Sequence, residues 1–175
     1  MTMRQFYDWQ TAGGGGDVSL LVETLERREI PWCMIGGLAV NHWAEEPMAT
    51  ADVDLVIALE RVEEAIKALT DAGFAAKRFD WSVNLKGHSK VSVQISTEDF
   101  YRDFPARSVA ADIHGILMRV ASRGDTLRGK LKAYADMQPR PSKRQKDLLD
   151  ITRLLDAKAD LRTLVPNEVL EKLKV

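Results

Sequence analysis

The sequence predicts a mixed α/β (α+β) fold, in which a small mixed sheet is flanked by helices and followed by a helical C-terminal segment. Three observations support this. Short apolar runs that end at glycines or polar turns alternate with amphipathic segments over residues 17–120. After residue 121 the pattern is mostly helical. The 175 residues, 45% hydrophobic and 29% charged, suit one compact globular unit.

The first sixteen residues predict a flexible arm that ends in the glycine run at residues 13–16. A phosphate-binding loop is rejected here, because no Lys-Ser/Thr pair follows the glycines and no strand precedes them. Asp17 is then expected to cap a helix over residues 18–30, since aspartate is a favoured N-cap and the leucines that follow share one stripe.

The next four elements alternate between strand and helix. Residues 31–37 predict a short strand broken by Gly36 and Gly37, and residues 38–45 a helix that begins directly after them. Residues 50–59 predict a strand with a continuous apolar run. Residues 61–73 predict an amphipathic helix, with Gly73 at a C-cap position.

The remaining elements lead from the sheet into the helical segment. Residues 74–80 and 81–87 predict strands or a hairpin, and residues 90–96 a strand with clear alternation. A helix is expected over residues 97–108 as far as Pro105, and two strands around Gly115. Three helices follow, at 123–137, 143–158 and near 166–173. We thus expect a flexible arm (1–16), a core (17–120) and a helical segment packed on it (121–175).

Composition and charge exclude several classes of protein. The formal net charge is −1, from 25 basic and 26 acidic residues, so no global field favours nucleic acid or a membrane surface. The single cysteine, Cys33, excludes an internal disulfide and a cysteine-based zinc site. No apolar run approaches transmembrane length and the N-terminus lacks a secretory one, so we expect a cytoplasmic protein.

Two carboxylates in the strand at 50–59 indicate a site for a divalent cation. Asp52 and Asp54 stand two residues apart, so both point to one face of the strand and repel each other. A divalent cation would cancel that repulsion, and Mg²⁺ prefers such hard oxygen ligands. Gly36 and Gly37 precede a helix N-terminus, where backbone N–H groups can approach a phosphate closely.

This constellation resembles a known family. Gly-Gly, a spacer and then "ATADVDLV" look like the signature of the nucleotidyltransferase superfamily, which has the polymerase-β-like fold. Later segments resemble its AbiEii-like branch, which includes toxin components of bacterial toxin–antitoxin systems; they read "VSVQISTEDFYRDFPAR", "GDTLRGKLKAY" and "KRQKDLLDITRLL". The resemblance covers about residues 30–156.

The resemblance implies a function and a set of site residues. The expected reaction is Mg²⁺-dependent transfer of a nucleoside monophosphate from a nucleoside triphosphate to an RNA, protein or small-molecule acceptor. RNA or a cognate antitoxin is the expected partner. The implied catalytic residues are Asp52, Asp54, Lys130 and Asp147. The implied nucleotide-binding residues are Gly36, Gly37 and Lys130, and the implied metal ligands are Asp52 and Asp54.

One departure from the family pattern leaves an alternative function open. Members usually supply a third carboxylate from a later strand, whereas the matching strand here has Ser92 at the expected place. A serine hydroxyl does not bridge two cations as a carboxylate does. It also does not act as a base near neutral pH unless a neighbouring group activates it. The alternative is therefore a catalytically impaired nucleotide-binding or regulatory protein, unless Asp80, Glu98 or Asp99 substitutes in space.

Each candidate residue also has a simpler interpretation. Asp52 and Asp54 would be unremarkable on a solvated edge strand, and Lys130 would be an ordinary surface lysine. Asp147 and Asp150 stand three residues apart and would equally suit an exposed, salt-bridged helix face. A basic cluster at the start of that helix would suit a polynucleotide backbone; it comprises Arg140, Lys143, Arg144 and Lys146.

Overall fold

A computed structural model describes residues 14–50, 52–113 and 115–173 of the chain. These residues form seven strands: β1 (Trp32–Ile35), β2 (Asp52–Ile57), β3 (Ala75–Arg78), β4 (Ser82–Lys86), β5 (Ser92–Ser96), β6 (Val109–Ile113) and β7 (Ile116–Val120). The α-helices are α1 (Gly15–Arg27), α2 (Gly36–Trp43), α3 (Val62–Asp71), α4 (Arg123–Ala135), α5 (Pro141–Ala157) and α6 (Asn167–Leu173). Short 3₁₀ turns span Leu59–Arg61, Asp99–Tyr101, Pro105–Arg107 and Ala159–Leu164.

The strands form one mixed sheet in the order β3-β4-β5-β2-β1-β7-β6. Strand β2 lies at its centre, antiparallel to β1 and parallel to β5. Strand β1 also pairs in parallel with β7, and the outer pairs β3–β4 and β6–β7 are antiparallel. Because β2 has a partner on each side, its two aspartates do not lie on an edge strand.

One face of the sheet holds the main core. Alternate residues of β2, such as Val53, Leu55 and Ile57, are fully buried, and so are the corresponding residues of β5. Helices α1 and α3 contribute their apolar stripes to the same cluster, including Leu21, Leu25 and Leu69. Both helices therefore lie over this face, and the intervening residues of β2 and β5 face the other way.

The opposite face lies towards the C-terminal helices. Leu127 of α4 and Ile151 of α5 are fully buried in a second cluster, which also includes Val40 of α2. Helix α2 is thus packed on the C-terminal helical segment as well as on the sheet. In the described part of the chain no helix has an apolar stretch of the length that a bilayer crossing requires.

The predicted fold class is confirmed, with corrections in two segments. The first helix begins at Gly15, within the predicted arm, and Asp17 lies in its first turn rather than at its N-cap. Residues 1–13 lie outside the described residues. The continuous helix expected over 97–108 is wrong, because this segment forms two separate 3₁₀ turns. Gly73 does follow α3 with a positive φ of 109°, as a C-cap requires.

Asp17 connects α1 to the turn between β4 and β5. It is 6% exposed, and its carboxylate accepts hydrogen bonds from Ser89 N (2.8 Å), Ser89 Oγ (2.5 Å) and His88 N (3.2 Å). Burial alone would raise the pKa of Asp17, but the hydrogen bonds from Ser89 and His88 bring it below its usual range. The ionised carboxylate therefore stabilises the attachment of α1 to the sheet.

We expect Asp17→Ala to lower the free energy of unfolding by about 2–3 kcal/mol at pH 7, because three donors lose a charged acceptor. The lowered pKa means that this stabilisation is present above about pH 4 and is lost as the pH falls further. Urea unfolding of both proteins at several pH values measures it. Asp71→Ala removes only an exposed carboxylate and is the control; equal losses in the two variants would contradict the assignment.

Candidate active site

The site begins at the junction between β1 and α2, where Gly36 adopts a φ of +68°. A Cβ atom at this position would lie 2.2 Å from Asp54 Oδ2, so no other residue fits without displacing that carboxylate. A Cβ on Gly37 would lie 3.1 Å from Thr50 Oγ1. The paired glycines therefore bring the N-terminus of α2 directly against the aspartate strand and the loop that precedes it.

Asp52 and Asp54 project from β2 on the face opposite the main core. Asp52 is exposed at the start of the strand, whereas Asp54 is half-buried. Loss of solvation raises the pKa of Asp54 to about 6, and the neighbouring charge of Asp52 adds to this rise. The two carboxylates thus repel each other, as the sequence predicts.

Three lysines from the C-terminal helices partly offset this negative charge. Lys130, Lys143 and Lys146 each act to lower the pKa of Asp54. Lys130 lies on α4, and Lys143 and Lys146 lie on the first two turns of α5. No ion pair of Lys143 or Lys146 with an acidic residue occurs among residues 14–50, 52–113 and 115–173. The helical segment therefore directs towards the aspartates the positive charge of two lysines that form no ion pair among the described residues.

Lys130 is buried in a network of opposite charges. Its ammonium lies 3.0 Å from Asp147 Oδ1 and 2.8 Å from Asp150 Oδ2. Burial alone would lower the pKa of Lys130, but the two carboxylates raise it above its usual range. Lys130 therefore remains positively charged, and the interpretation of Lys130 as an ordinary surface lysine is wrong for this structure.

Asp147 retains one carboxylate oxygen for a further partner. The residue is 3% exposed and lies in the wall of the cavity beside Asp54. Its Oδ1 accepts a hydrogen bond from Lys130, whereas its buried Oδ2 has no hydrogen-bond partner among the described residues. A buried carboxylate oxygen without a partner is costly, so this atom is suited to a donor or cation from a bound ligand.

These residues surround a cavity of about 180 Å³ between the sheet and helices α4 and α5. Gly36 and Asp54 lie on the sheet side, and Lys130, Lys143 and Asp147 lie on the helical side. Asp52 and Gly37 adjoin this group but do not line the cavity. The remaining lining residues are Ile35, Leu55, Gln94, Ser96, Glu98, Tyr101, Phe104, Asp125, Thr126, Gly129 and Ala133.

The strand register identifies the residues next to the aspartates on β5. Ser92 pairs with Asp52, and Gln94 pairs with Asp54. Gln94 lines the cavity, while Ser92 does not. Neither residue has a carboxylate. Of the three acids considered as substitutes, only Glu98 lines the cavity, where it forms an ion pair with Lys132; Asp99 instead pairs with Arg102 at the exposed surface.

Several residues of the cavity wall, among them Tyr101, Phe104 and Asp125, are not among the site residues that the sequence predicts. Tyr101 and Phe104 are buried and form the aromatic part of the wall, with their rings 5.1 Å apart. Asp125 is fully buried and accepts bonds from Arg107 Nε (2.8 Å) and Arg128 Nη1 (3.0 Å). The aromatic residues after Glu98 are the available signal, although the sequence predicts a helix there. Asp125 has a local signal for a helix start, the Ser-x-x-Asp pattern with Ser122, but its bond from Arg107 joins residues eighteen positions apart and has no local signal.

The donor set suits a divalent cation. Asp52 and Asp54 offer adjacent hard oxygen ligands, and a bound cation would compensate both the loss of solvation and the repulsion from Asp52 that raise the pKa of Asp54. Within the described residues, no three His, Cys, Asp or Glu side chains converge as a complete metal site. A cation bound here would therefore need further ligands from outside the described residues, and phosphate oxygens and water are the ligands that usually complete the coordination of Mg²⁺.

Solved structures with the same fold include several nucleotidyltransferases. The antibiotic-resistance factor ANT(2'')-Ia in complex with adenylyl-2''-tobramycin has a TM-score of 0.59 at 17% identity, over 83% of this chain and 95% of that one. An antigenic nucleotidyltransferase-like protein from Paracoccidioides brasiliensis has a TM-score of 0.56 at 22% identity, over 89% and 87%. The lincomycin-bound lincosamide adenylyltransferase LnuA has a TM-score of 0.55 at 11% identity, over 80% and 97%.

At these identities the structures show a shared polymerase-β-like fold and nothing finer. No curated protein matches the chain. A family model does match, over residues 19–174, and its description is nucleotidyl transferase AbiEii toxin of type IV toxin–antitoxin systems. This match includes every residue of the cavity wall, so the chain belongs to the AbiEii family of nucleotidyltransferase toxins.

Proposed function

We propose that this protein transfers a nucleoside monophosphate from a nucleoside triphosphate to an acceptor hydroxyl with the help of Mg²⁺. One observation carries the proposal: two repelling carboxylates stand against a glycine-opened helix N-terminus, at a cavity with lysines on its far side. This arrangement combines the cation ligands and phosphate-binding groups that phosphoryl transfer requires. The family match supports this class of reaction.

The proposed roles follow from where each group lies. Asp52 and Asp54 would hold Mg²⁺, which supplies charge neutralisation at the transferring phosphate when bound. The N-terminus of α2 at Gly36 and Gly37, together with Lys130, would bind the phosphates. The oxygen of an acceptor hydroxyl would then bond to the α-phosphorus as the bond from that phosphorus to the β-phosphate oxygen breaks. The hydroxyl proton would pass to water or to a carboxylate of the site, and pyrophosphate would leave. Asp147 Oδ2 is available to accept a hydrogen bond from a substrate hydroxyl.

The proposed biological context is a toxin–antitoxin pair. The matched family is described as the toxin of type IV systems, so a cognate antitoxin is the expected partner. The acceptor in this proposal is an RNA, a protein or a small molecule, each of which offers a hydroxyl group. A structural neighbour was solved with an adenylylated aminoglycoside, which demonstrates only that this fold can host a small acceptor in that protein.

We expect Asp54→Asn to lower nucleotide transfer by at least about 10³-fold, because an amide cannot replace a carboxylate in binding and neutralising a divalent cation. Incubation with α-phosphate-labelled triphosphates, Mg²⁺ and bacterial RNA, protein extract or small hydroxyl compounds measures the transfer. Asp160→Asn changes an exposed carboxylate outside the cavity and should act as wild type. Equal transfer by wild type and Asp54→Asn would contradict the assigned role.

We expect Gly36→Ala to reduce transfer by at least about 10²-fold, since the new methyl group would force Asp54 out of position. Gly37→Ala should have a smaller effect, because its methyl group would press only on Thr50 Oγ1 at 3.1 Å. The same labelling assay compares the two variants, and thermal unfolding verifies that both are folded. A larger loss for Gly37→Ala would contradict the close approach described for Gly36.

A second candidate function is nucleotide binding with little or no turnover. The observation that favours it is the absence of a carboxylate at both β5 positions beside the aspartates, Ser92 and Gln94. The phosphate-binding and cation-binding groups would still operate in such a protein. A partner protein would then detect the bound nucleotide rather than a modified acceptor.

Restoring a carboxylate discriminates between these two functions. If the protein is impaired, Gln94→Asp should raise transfer by about tenfold or more, since it places an acid opposite Asp54 in the cavity. Ser92→Asp is the matched comparison, because it lies opposite Asp52 and outside the cavity wall. Calorimetry with a triphosphate and transfer assays measure binding and turnover separately. Efficient transfer by the wild type would contradict the second function.

A further inference from the structure

We propose that Arg153 is a positioning residue: it tethers the loop between α2 and β2 to helix α5 and thereby fixes the entry of the chain into the aspartate strand. The effect of this tether on cation binding and transfer rests on the proposed function, whereas the contacts of Arg153 do not depend on it. Arg153 lies in the last three turns of α5 and does not line the cavity beside Asp54.

The guanidinium of Arg153 joins three separate parts of the chain. Its Nη1 donates to Asp150 Oδ1 on the same helix at 2.8 Å. Its Nη2 donates to Asn41 Oδ1 on α2 at 2.8 Å and also to the main-chain oxygen of Glu46 in the loop. The Arg153 side chain is only 12% exposed, so the bonds to Asp150 and Asn41 are partly shielded from water, while the bond to Glu46 lies at the exposed surface. A planar fork with several donors is suited to such simultaneous contacts.

Asn41 continues the tether into the loop. Its Nδ2 donates to the main-chain oxygen of Met48 at 2.6 Å, and its Oδ1 accepts from the Met48 amide at 2.9 Å. Residues 45–49 are exposed, so buried apolar contacts contribute little to holding them in place. The polar contacts from Asn41 and Arg153 therefore determine much of the conformation of this loop.

The loop leads directly into the site. Thr50 packs against Gly37 at the start of α2, and Asp52 begins β2 two residues later. Asp52 is exposed, and its pairing with Ser92 lies at the end of the β2–β5 ladder. The preceding loop therefore influences the position of Asp52 more than the position of Asp54. Displacement of the loop would therefore separate the two carboxylates that would hold a cation in the proposed function.

Arg153 also connects the loop to the phosphate side of the cavity. The carboxylate of Asp150, which accepts from Arg153, lies 2.8 Å from the ammonium of Lys130 through its other oxygen. One continuous set of charged contacts thus runs from Lys130 to the loop before Asp52. The tether sets the separation between the phosphate-binding lysine and the aspartate pair.

The test compares Arg153→Lys, Arg153→Gln and wild type. Lysine keeps the charge beside Asp150 but lacks the fork, so Arg153→Lys should keep a melting temperature near that of wild type while losing the contacts to the loop. We expect amide hydrogen exchange at Met48 to accelerate about tenfold or more in both variants. We also expect Mn²⁺, used as the metal probe in spin-resonance titrations, to bind about fivefold or more weakly.

The controls separate positioning from a general structural role. Arg27→Gln on α1, which contributes nothing to the cavity, should leave both readouts unchanged. Asn41→Ala should reproduce the faster exchange, and its combination with Arg153→Gln should add little. If Arg153→Lys keeps the wild-type exchange protection and Mn²⁺ affinity, a positive charge beside Asp150 is sufficient. The positioning role of the guanidinium is then overturned.

The outcome is distinguishable from failure of the proposed function. A wild type that transfers no nucleotide but shows the expected exchange and Mn²⁺ differences would overturn the transfer reaction and support the tether. Unchanged Met48 exchange in Arg153→Gln would overturn the tether, whatever the transfer assay shows.

Discussion

Electrostatic repulsion between Asp52 and Asp54 is the constraint on which the rest of the site depends. Both carboxylates must share one face of β2, because Val53 and Leu55 occupy the other face in the main core. Asp54 cannot leave its place without unpairing the centre of the sheet, whereas Asp52 lies at the end of the ladder. Gly36 supplies the space that Asp54 needs, and the lysines of the helical segment supply opposing charge. The fold thus maintains a local concentration of negative charge that a cation would relieve.

The charge of the chain is divided in a way that suits this arrangement. Residues 123–158 contain ten basic and five acidic residues, so the helical segment is positive by five charges. The rest of the chain is negative by six. The near-neutral total conceals this separation. The Lys132–Glu98 ion pair and the lysines that face Asp54 are contacts between these two parts, in addition to the apolar contacts of Leu127 and Ile151.

The sequence predicted the parts of the site that depend on local pattern. Alternation placed Asp52 and Asp54 on one face, and the paired glycines marked the helix N-terminus beside them. Asp17 was misplaced because capping preference is local, whereas its actual partner, Ser89, lies 72 residues away. The segment 97–108 has a helical composition, but Tyr101 and Phe104 pack into the cavity wall as separate turns. The alignment of Gln94 with Asp54 depends on strand register, which sequence alone does not determine.

The contact between Arg153 and Asn41 spans 112 residues of the chain. During synthesis the glycines and aspartates leave the ribosome before Lys130, Asp147 and Arg153. The nascent polypeptide therefore has no assembled cavity until these later residues have been made. Loop closure over such a distance also makes docking of the last helices a late event in folding. The cavity beside Asp54 therefore exists only in a polypeptide whose helices α4 and α5 have already docked on the sheet.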